Sequence, residues 1–273
     1  MIQERLKALR AEMEKRGITV YVVPTADFHE SEYVGDHFKA RKFITGFTGS
    51  AGTAVITLDE AGLWTDGRYF VQAENQLKDS TVTLYRMGEE GVPTVDEFVK
   101  DRLKEGGCLG FDGRVVNGTW GGRLEKIAAE KNVSMHVTED LIDLIWEDRP
   151  ALSKQPLFIL EEKYSGKSTA DKIADLRKAM KENGADVHIL TSLYDIAWLL
   201  NIRGNDIDYV PVVLSYLVLN ETECIWFLQE EVVDDKIRAY LEENHITTKP
   251  YDAIYDYVPE IPADAVVLMN RGT

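Results

Sequence analysis

Cysteine is nearly missing from this chain. Of 273 residues only Cys108 and Cys224 carry thiols, far apart and each among strand-forming apolar neighbours. That excludes a disulfide-stapled fold and a cysteine-held metal site, and predicts two reduced, buried thiols. Long apolar runs are missing as well. No stretch approaches the roughly 18 consecutive apolar residues of a membrane span, and Met1-Ile2-Gln3-Glu4-Arg5-Leu6-Lys7 lacks an apolar signal-peptide core. The expected location is the cytoplasm, with no membrane partner. Positive charge is also short: 31 Lys and Arg face 47 Asp and Glu, a net charge of −16. Phosphate backbones need clustered cations, so nucleic acid is excluded as a partner. Histidines number five. Only His29 and His37 lie near each other, in a segment (Asp27 to His37) that is rich in polar groups but lacks the one-turn spacing of a helical metal site. It is expected to be a solvated polar loop, and no residue is assigned as a metal ligand. His188, inside an apolar strand, is expected to be a satisfied core histidine.

What is present is an ordinary globular composition, 44% hydrophobic and 29% charged, in a chain long enough for two domains. A duplication divides it. Leu6, Leu9 and Met13 recur at helical spacing, Gly17 stops the helix, and the β-rich run Ile18 to Val23 follows. Ile173, Leu176, Met180 and Gly184 repeat these landmarks with a constant displacement of 167 (6 to 173, 9 to 176, 13 to 180, 17 to 184), and the strand Val187 to Leu190 follows. In each copy a long apolar strand, a turn and a strand bearing a tryptophan (Trp64, Trp226) come next. Between the copies, Trp146 to Pro156 has two prolines and no periodicity, which marks a strap that follows a helix over Glu139 to Ile145. The domains are expected at 1–150 and 151–273. The first copy continues past the strand Cys108 to Phe111 into Asp112-Gly113-Arg114 and a helix from Gly122 to Lys131. The second ends after the equivalent strand, Ala265 to Met269, so the sequence is expected to be part of a longer protein, with its second domain truncated at the C-terminal end. Alternating strands and helices predict an α/β class with mixed sheets, the strands falling at 19–23, 53–58, 62–65, 81–86, 107–111, 187–190, 211–219, 223–228 and 265–269.

No complete catalytic apparatus is legible. Thr48-Gly49-Ser50-Ala51-Gly52 fails the Gly-x-Ser-x-Gly elbow at its first position and leads into a strand rather than a helix. Gly46, Gly49 and Gly52 lack the Gly-Lys-Ser/Thr of a phosphate loop; glycines there let the backbone bend and approach closely, with Phe47 tucked under. Arg68 differs in kind. In Asp66-Gly67-Arg68-Tyr69 a turn fixes an arginine just before a helix, where its planar fork can meet a carboxylate or a peptide carbonyl. By spacing alone it either clamps Asp66 or a nearby Glu, or contacts a ligand. Asn201-Ile202-Arg203-Gly204 forms a comparable polar island in the second copy, or else ends a helix, with Asn201 and Gly204 as its C-cap.

The motifs Asp27-Phe28-His29-Glu30-Ser31-Glu32-Tyr33, Ile44 to Ala54, Trp64 to Ala73, Asp143 to Pro150 and Asp195 to Asp206 together resemble the amino-terminal region of the aminopeptidase P family, the Xaa-Pro aminopeptidases of the creatinase/prolidase superfamily. The resemblance spans nearly the whole chain in the family's order. It departs at Asp206 to Pro211, where relatives often place His or Asn before the proline. It implies two tandem creatinase N-terminal-type domains (a ribonuclease H-like motif), each a mixed β-sheet flanked by helices, that precede a pita-bread metallopeptidase domain absent from this chain. The whole protein would then remove the N-terminal residue from peptides with proline in second position. Two divalent metal ions, typically manganese, would be held by the absent domain. This part would be inactive alone, would have no catalytic residue, metal ligand or cofactor of its own, and would shield the cleft, position peptide and support a homodimer. Arg68 stands where the family's arginine reaches the peptide; His29 and Arg203 are weaker cleft candidates. The alternative is a non-catalytic module that reuses the fold to bind peptides or proteins.

Overall fold

A computed structural model describes residues 1–272 of the chain. It divides into two compact units, Met1–Ala151 and Leu152–Arg271, each with its own sheet.

The first unit opens with α1 (Ile2–Lys15), whose apolar stripe Leu6, Leu9 and Met13 is fully buried, and Gly17 turns the chain into β1 (Val20–Pro24). Next come α2 (Ala40–Thr45), β2 (Thr53–Thr57), β3 (Ala61–Thr65), α3 (Phe70–Leu77), β4 (Thr83–Arg86), α4 (Val95–Arg102), β5 (Cys108–Gly110), α5 (Gly118–Lys131) and β6 (Ser134–His136). The six strands lie in the order β4-β3-β2-β1-β5-β6. The β1–β2 and β2–β3 pairs are antiparallel; β3–β4, β1–β5 and β5–β6 are parallel. Helices cover both faces. One core joins Leu9 and Met13 to Tyr21, Ile56, Leu63, Ala73 and Leu77; the other joins Val22, Val55 and Trp64 to Phe98, Val99 and Leu124.

The second unit contains β7 (Phe158–Ile159), α6 (Glu162–Ser165), α7 (Thr169–Glu182), β8 (Val187–Leu190), α8 (Leu193–Leu200), β9 (Ile202–Arg203), β10 (Ser215–Asn220), β11 (Cys224–Leu228), α9 (Asp235–Glu243), β12 (Thr247–Pro250), α10 (Ile254–Tyr257) and β13 (Val267–Met269). Its five-stranded sheet runs β12-β11-β10-β8-β13, with β8–β10 and β10–β11 antiparallel and β11–β12 and β8–β13 parallel. Strand for strand this repeats the order and directions of β4-β3-β2-β1-β5. The repeat read from the helix–glycine–strand spacing is therefore a repeat of topology.

Three expectations need correction. The tryptophans of the two copies are not equivalents. Trp64 packs with α4 and α5, whereas Trp226 lies in the core of α7 and α9, which correspond to α1 and α3. Phe227, stacked edge-on to Tyr257 in α10 at 5.6 Å, takes the side that Trp64 takes in the first unit. Residues 139–145 form no helix, and 141–145 are turns. The Asp140 carboxylate accepts from the Ile142 amide at 2.9 Å and the Tyr21 hydroxyl from the Leu141 amide at 3.0 Å, and the Ile145 amide closes on the Ile142 carbonyl three residues back at 3.1 Å, a turn that is not continued. Of the segment Asp27 to His37 the first part, Asp27–Ser31, is buried rather than solvated, with Asp27 1% and His29 2% exposed, whereas Glu32, Tyr33 and Asp36 are exposed as expected. Short or polar strands escaped the sequence: β6, β12 and the two-residue pair β7–β9 lack the length or alternation that marks a strand. Both cysteines are free and buried, and burial pushes the Cys224 thiol up to about 12. No helix of the described residues is long and apolar enough to cross a membrane.

Candidate functional site

The glycine-rich bend grows out of α2. Gly46, at φ +77, caps that helix in the left-handed conformation, and Phe47 then plunges into the core with no exposed surface. Beneath the bend lies Arg41, 3% exposed. Its guanidinium donates to the Thr25 hydroxyl at 2.9 Å and to the carbonyls of Phe47 and Gly49, and it stacks over the Phe47 ring 4.7 Å from the centroid. It has no carboxylate partner among the described residues, and burial pushes it down to about 10. Gly49 is required sterically: a Cβ there would lie 2.3 Å from Phe47 Cζ and 2.9 Å from Tyr69 Cδ1. On the outer side, Thr48 is held by Gln72 and Gln76 of α3, and the Ser50 and Tyr69 hydroxyls share a hydrogen bond of 2.6 Å.

The second arm of the site leaves β3. Thr65 is fully buried, Asp66 and Gly67 turn the chain, and the Tyr69 amide closes the turn on the Asp66 carbonyl at 3.0 Å before α3 begins. The Arg68 side chain is 70% exposed, and its fork is already occupied. Nε and Nη2 donate to the two oxygens of Asp66 at 2.8 and 2.9 Å, and the Arg68 amide adds a third bond at 3.1 Å. The same device ends β5, where Arg114 forks onto both oxygens of Asp112 at 3.0 Å and its amide also donates to Asp112. An Asp-Gly-Arg turn after a strand is thus a local ion clamp in this fold, and a ligand of Arg68 has to compete with Asp66 or bind its exposed edge.

Hydrogen bonds from Arg68 hold the Asp66 carboxyl down at about 2, below its ordinary 3.8. A depressed carboxyl contributes stability that is present above about pH 4 and lost as pH falls through 2. Arg68→Ala is expected to return the Asp66 titration to near 3.8, read from its carboxyl carbon by NMR. A midpoint that stays near 2 in the variant would show that Arg68 does not hold Asp66 in solution.

The other sequence candidates lie elsewhere. His29 is buried in a polar knot, in which Asp27 Oδ1 accepts the amides of His29 and Ser31 at 2.9 Å each and Glu30 accepts from Asn117 at 2.9 Å. Burial raises the Glu30 carboxyl. Arg203 is half-buried and caps α8, donating to the carbonyls of Ala197 and, at 3.0 Å, Ile202; burial lowers it. Asn201, at φ +51, is the α8 C-cap, whereas Gly204 permits close packing, since a Cβ there would meet Val213 at 2.9 Å and the Val212 carbonyl at 3.0 Å. His188 is not fully satisfied, since its buried Nδ1 has no partner. Two residues that no pattern singled out are the buried cations, Arg41 and Lys172. Lys172 Nζ donates to the Trp198 carbonyl and to Asn201 Oδ1 at 2.6 Å each. Both were masked by their residue type, because a cation on a helix reads as a solvent-facing position. Among the described residues no group of three or more His, Cys, Asp or Glu is placed to hold a metal ion.

Known proteins share this architecture. Residues 5–145 and 148–273 each match a family model described as Creatinase/Prolidase N-terminal domain. A probable Xaa-Pro aminopeptidase P of Sordaria macrospora is 42% identical over 255 residues, covering 92% of this chain and 41% of that protein. Aminopeptidase P2 of Arabidopsis thaliana is 36% identical over 279 residues, covering 100% of this chain and 39% of that protein. The crystal structure of an X-prolyl aminopeptidase from Caenorhabditis elegans, described as a cytosolic enzyme with a di-nuclear active site, superposes with a TM-score of 0.90 at 34% identity. That match covers 94% of this chain and 44% of the other. The chain thus spans about four tenths of the length of the relatives it matches.

Proposed function

The chain belongs to the creatinase/prolidase N-terminal domain family, of which it carries two successive domains, and from that premise we propose that it is the non-catalytic amino-terminal part of an Xaa-Pro aminopeptidase. The observation that carries this is the similarity running through both domains to proteins named Xaa-Pro aminopeptidase, at 36 to 42% identity. The substrate class would be peptides with proline in second position, and the location the cytosol, as for the C. elegans enzyme. The described residues do not fit a di-nuclear metal centre, so metal chemistry, with manganese as the expected ion, belongs to the remainder of the whole protein. This part would shield the cleft, support a dimer and position the peptide.

Arg68 is the residue we assign to peptide contact. Its guanidinium edge is exposed, its direction is fixed by Asp66, and a fixed planar donor suits a peptide carbonyl or carboxylate. His29 and Arg203 suit that role less well, one being buried and the other spent on helix carbonyls. The isolated 273-residue chain is expected to turn over no Xaa-Pro peptide with added Mn²⁺; measurable turnover by the pure chain sinks the assignment. In the whole protein, Arg68→Ala is expected to lower kcat/KM by about tenfold, the loss of one charge-assisted contact. Kinetics equal to those of the parent would leave Arg68 as the Asp66 clamp alone.

A further inference from the structure

Around the glycine-rich bend four carbonyls, those of Phe47, Gly49, Ala51 and Gly52, face in. The Phe47 and Gly49 carbonyls accept from Arg41, the Ala51 carbonyl accepts from the buried Thr65 hydroxyl at 2.7 Å, and the Gly52 carbonyl accepts from the amide and hydroxyl of Thr25 at 3.1 and 2.7 Å. No peptide bond here is cis. In a planar trans peptide the N–H of one residue points opposite to the carbonyl of the residue before it. The amides of Thr48, Ser50 and Gly52 are therefore turned away from Arg41 and Thr65, toward the surface side. The Thr48 amide is met there by Gln76 Oε1 at 2.9 Å. Those of Ser50 and Gly52 donate to no acceptor among the described residues. Beside them the Ser50–Tyr69 hydroxyl pair needs only one proton for its own bond, which leaves a second to donate.

An independent observation fixes the sign of what these donors want. Arg68 and Arg114 each sit on an aspartate, but the buried Arg41 guanidinium has no carboxylate partner among the described residues. One uncompensated positive charge lies under the peptides that carry the Thr48 and Ser50 amides, whose positive ends face outward, while the peptide of the Gly52 amide beside them is turned outward by Thr65. Buried charge is costly unless paired, and backbone amides turned outward beside a buried cation favour an anion.

We propose that the outer face of residues 49–52 is a carboxylate-binding site, and that its occupant is the C-terminal carboxylate of a short peptide. A single unmatched cation balances a monoanion, and the chain's net charge of −16 disfavours a dianion such as phosphate. The choice of a peptide rests on the proposed function; the anion site itself rests on the loop. Binding is tested on the intact 273-residue chain by amide NMR with N-acetylglycine, its neutral amide N-acetylglycinamide and inorganic phosphate. N-acetylglycine is expected to shift the Ser50 and Gly52 amides saturably, with N-acetylglycinamide and phosphate at least tenfold weaker. Ser50→Ala, which keeps the N–H but removes one hydroxyl of the donor pair, should weaken binding by a few-fold, while Ser50→Pro, which removes the N–H as well, should bind at least tenfold more weakly. If Ser50→Pro does not fold, the shifts in the parent chain decide. No shift at 49–52, an equal response to the neutral amide, or tighter binding of phosphate overturns the site. A glutamate side chain is distinguished with the α-amide of N-acetylglutamic acid, whose only carboxylate is the side chain; binding as tight as that of N-acetylglycine overturns the C-terminal assignment. Failure here leaves the role of Arg68 untouched, since that is read from kinetics of the whole protein.

Discussion

Arg41→Met is expected to lower the stability of the first unit by about 3 kcal/mol, although it replaces a buried charge by an apolar side chain. The expectation rests on what the guanidinium leaves behind. Its removal strips the donor from the carbonyls of Phe47 and Gly49, in a bend that offers no replacement. Each orphaned buried acceptor costs about 1–3 kcal/mol. The desolvation that pushes Arg41 down to about 10 is relieved in the variant and offsets part of the loss. The thioether still fills space over the Phe47 ring, so a cavity adds little. Urea unfolding followed by tryptophan fluorescence measures the change. A loss under 1 kcal/mol would mean that the bend re-pairs its carbonyls with water and that Arg41 is not its anchor. The same variant should abolish the carboxylate response of residues 49–52, because the cation is gone and nothing would then hold the Phe47 and Gly49 carbonyls inward.

Much of the fold was legible because it repeats. The apolar stripe Leu6, Leu9, Met13 and its partner Ile173, Leu176, Met180 marked the first helix of each copy, and Gly17 and Gly184 marked the turns after them, both at positive φ. Strands buried on both faces, such as Val20–Pro24 and Cys224–Leu228, announced themselves by apolar runs. Periodicity could not reveal which face a lone tryptophan takes, since a shift of one residue along a strand reverses the side. That is why Trp64 and Trp226 looked like a pair and are not. At the site, the sequence exposed Arg68 and the bend but not what organises them. Arg41 acts through backbone carbonyls, and a backbone acceptor leaves no mark in a sequence. The segment Asp27–Ser31 misled for a related reason: five residues of mostly polar type read as solvated, but Asp27 meets the amides of His29 and Ser31 and Asn117 meets the Glu30 side chain, so burial costs them less.

The largest loss of stability is expected at Trp64, and its contrast with Trp226 tests whether one indole N–H is paired and the other is not. Trp64 is fully buried, stacked on Tyr85 at 4.1 Å with rings 2° from parallel and edge-on to Phe98 at 4.8 Å. Gly62 leaves the room for it, since a Cβ there would meet Trp64 Cζ3 at 2.7 Å. The indole Nε1 donates to the Pro93 carbonyl at 2.7 Å, which ties the loop before α4 to the sheet. Trp64→Ala removes the ring, its aromatic partners and that bond, for a loss of about 4 kcal/mol. Trp226 is equally buried, but its Nε1 has no acceptor. Trp226→Phe therefore removes a desolvated donor along with some volume, and its cost should stay below about 1 kcal/mol. Trp64→Phe orphans the Pro93 carbonyl and should cost about 2 kcal/mol. Chemical denaturation of the three variants measures the order. Equal losses for Trp64→Phe and Trp226→Phe would show that the indole N–H of Trp226 finds a partner in solution.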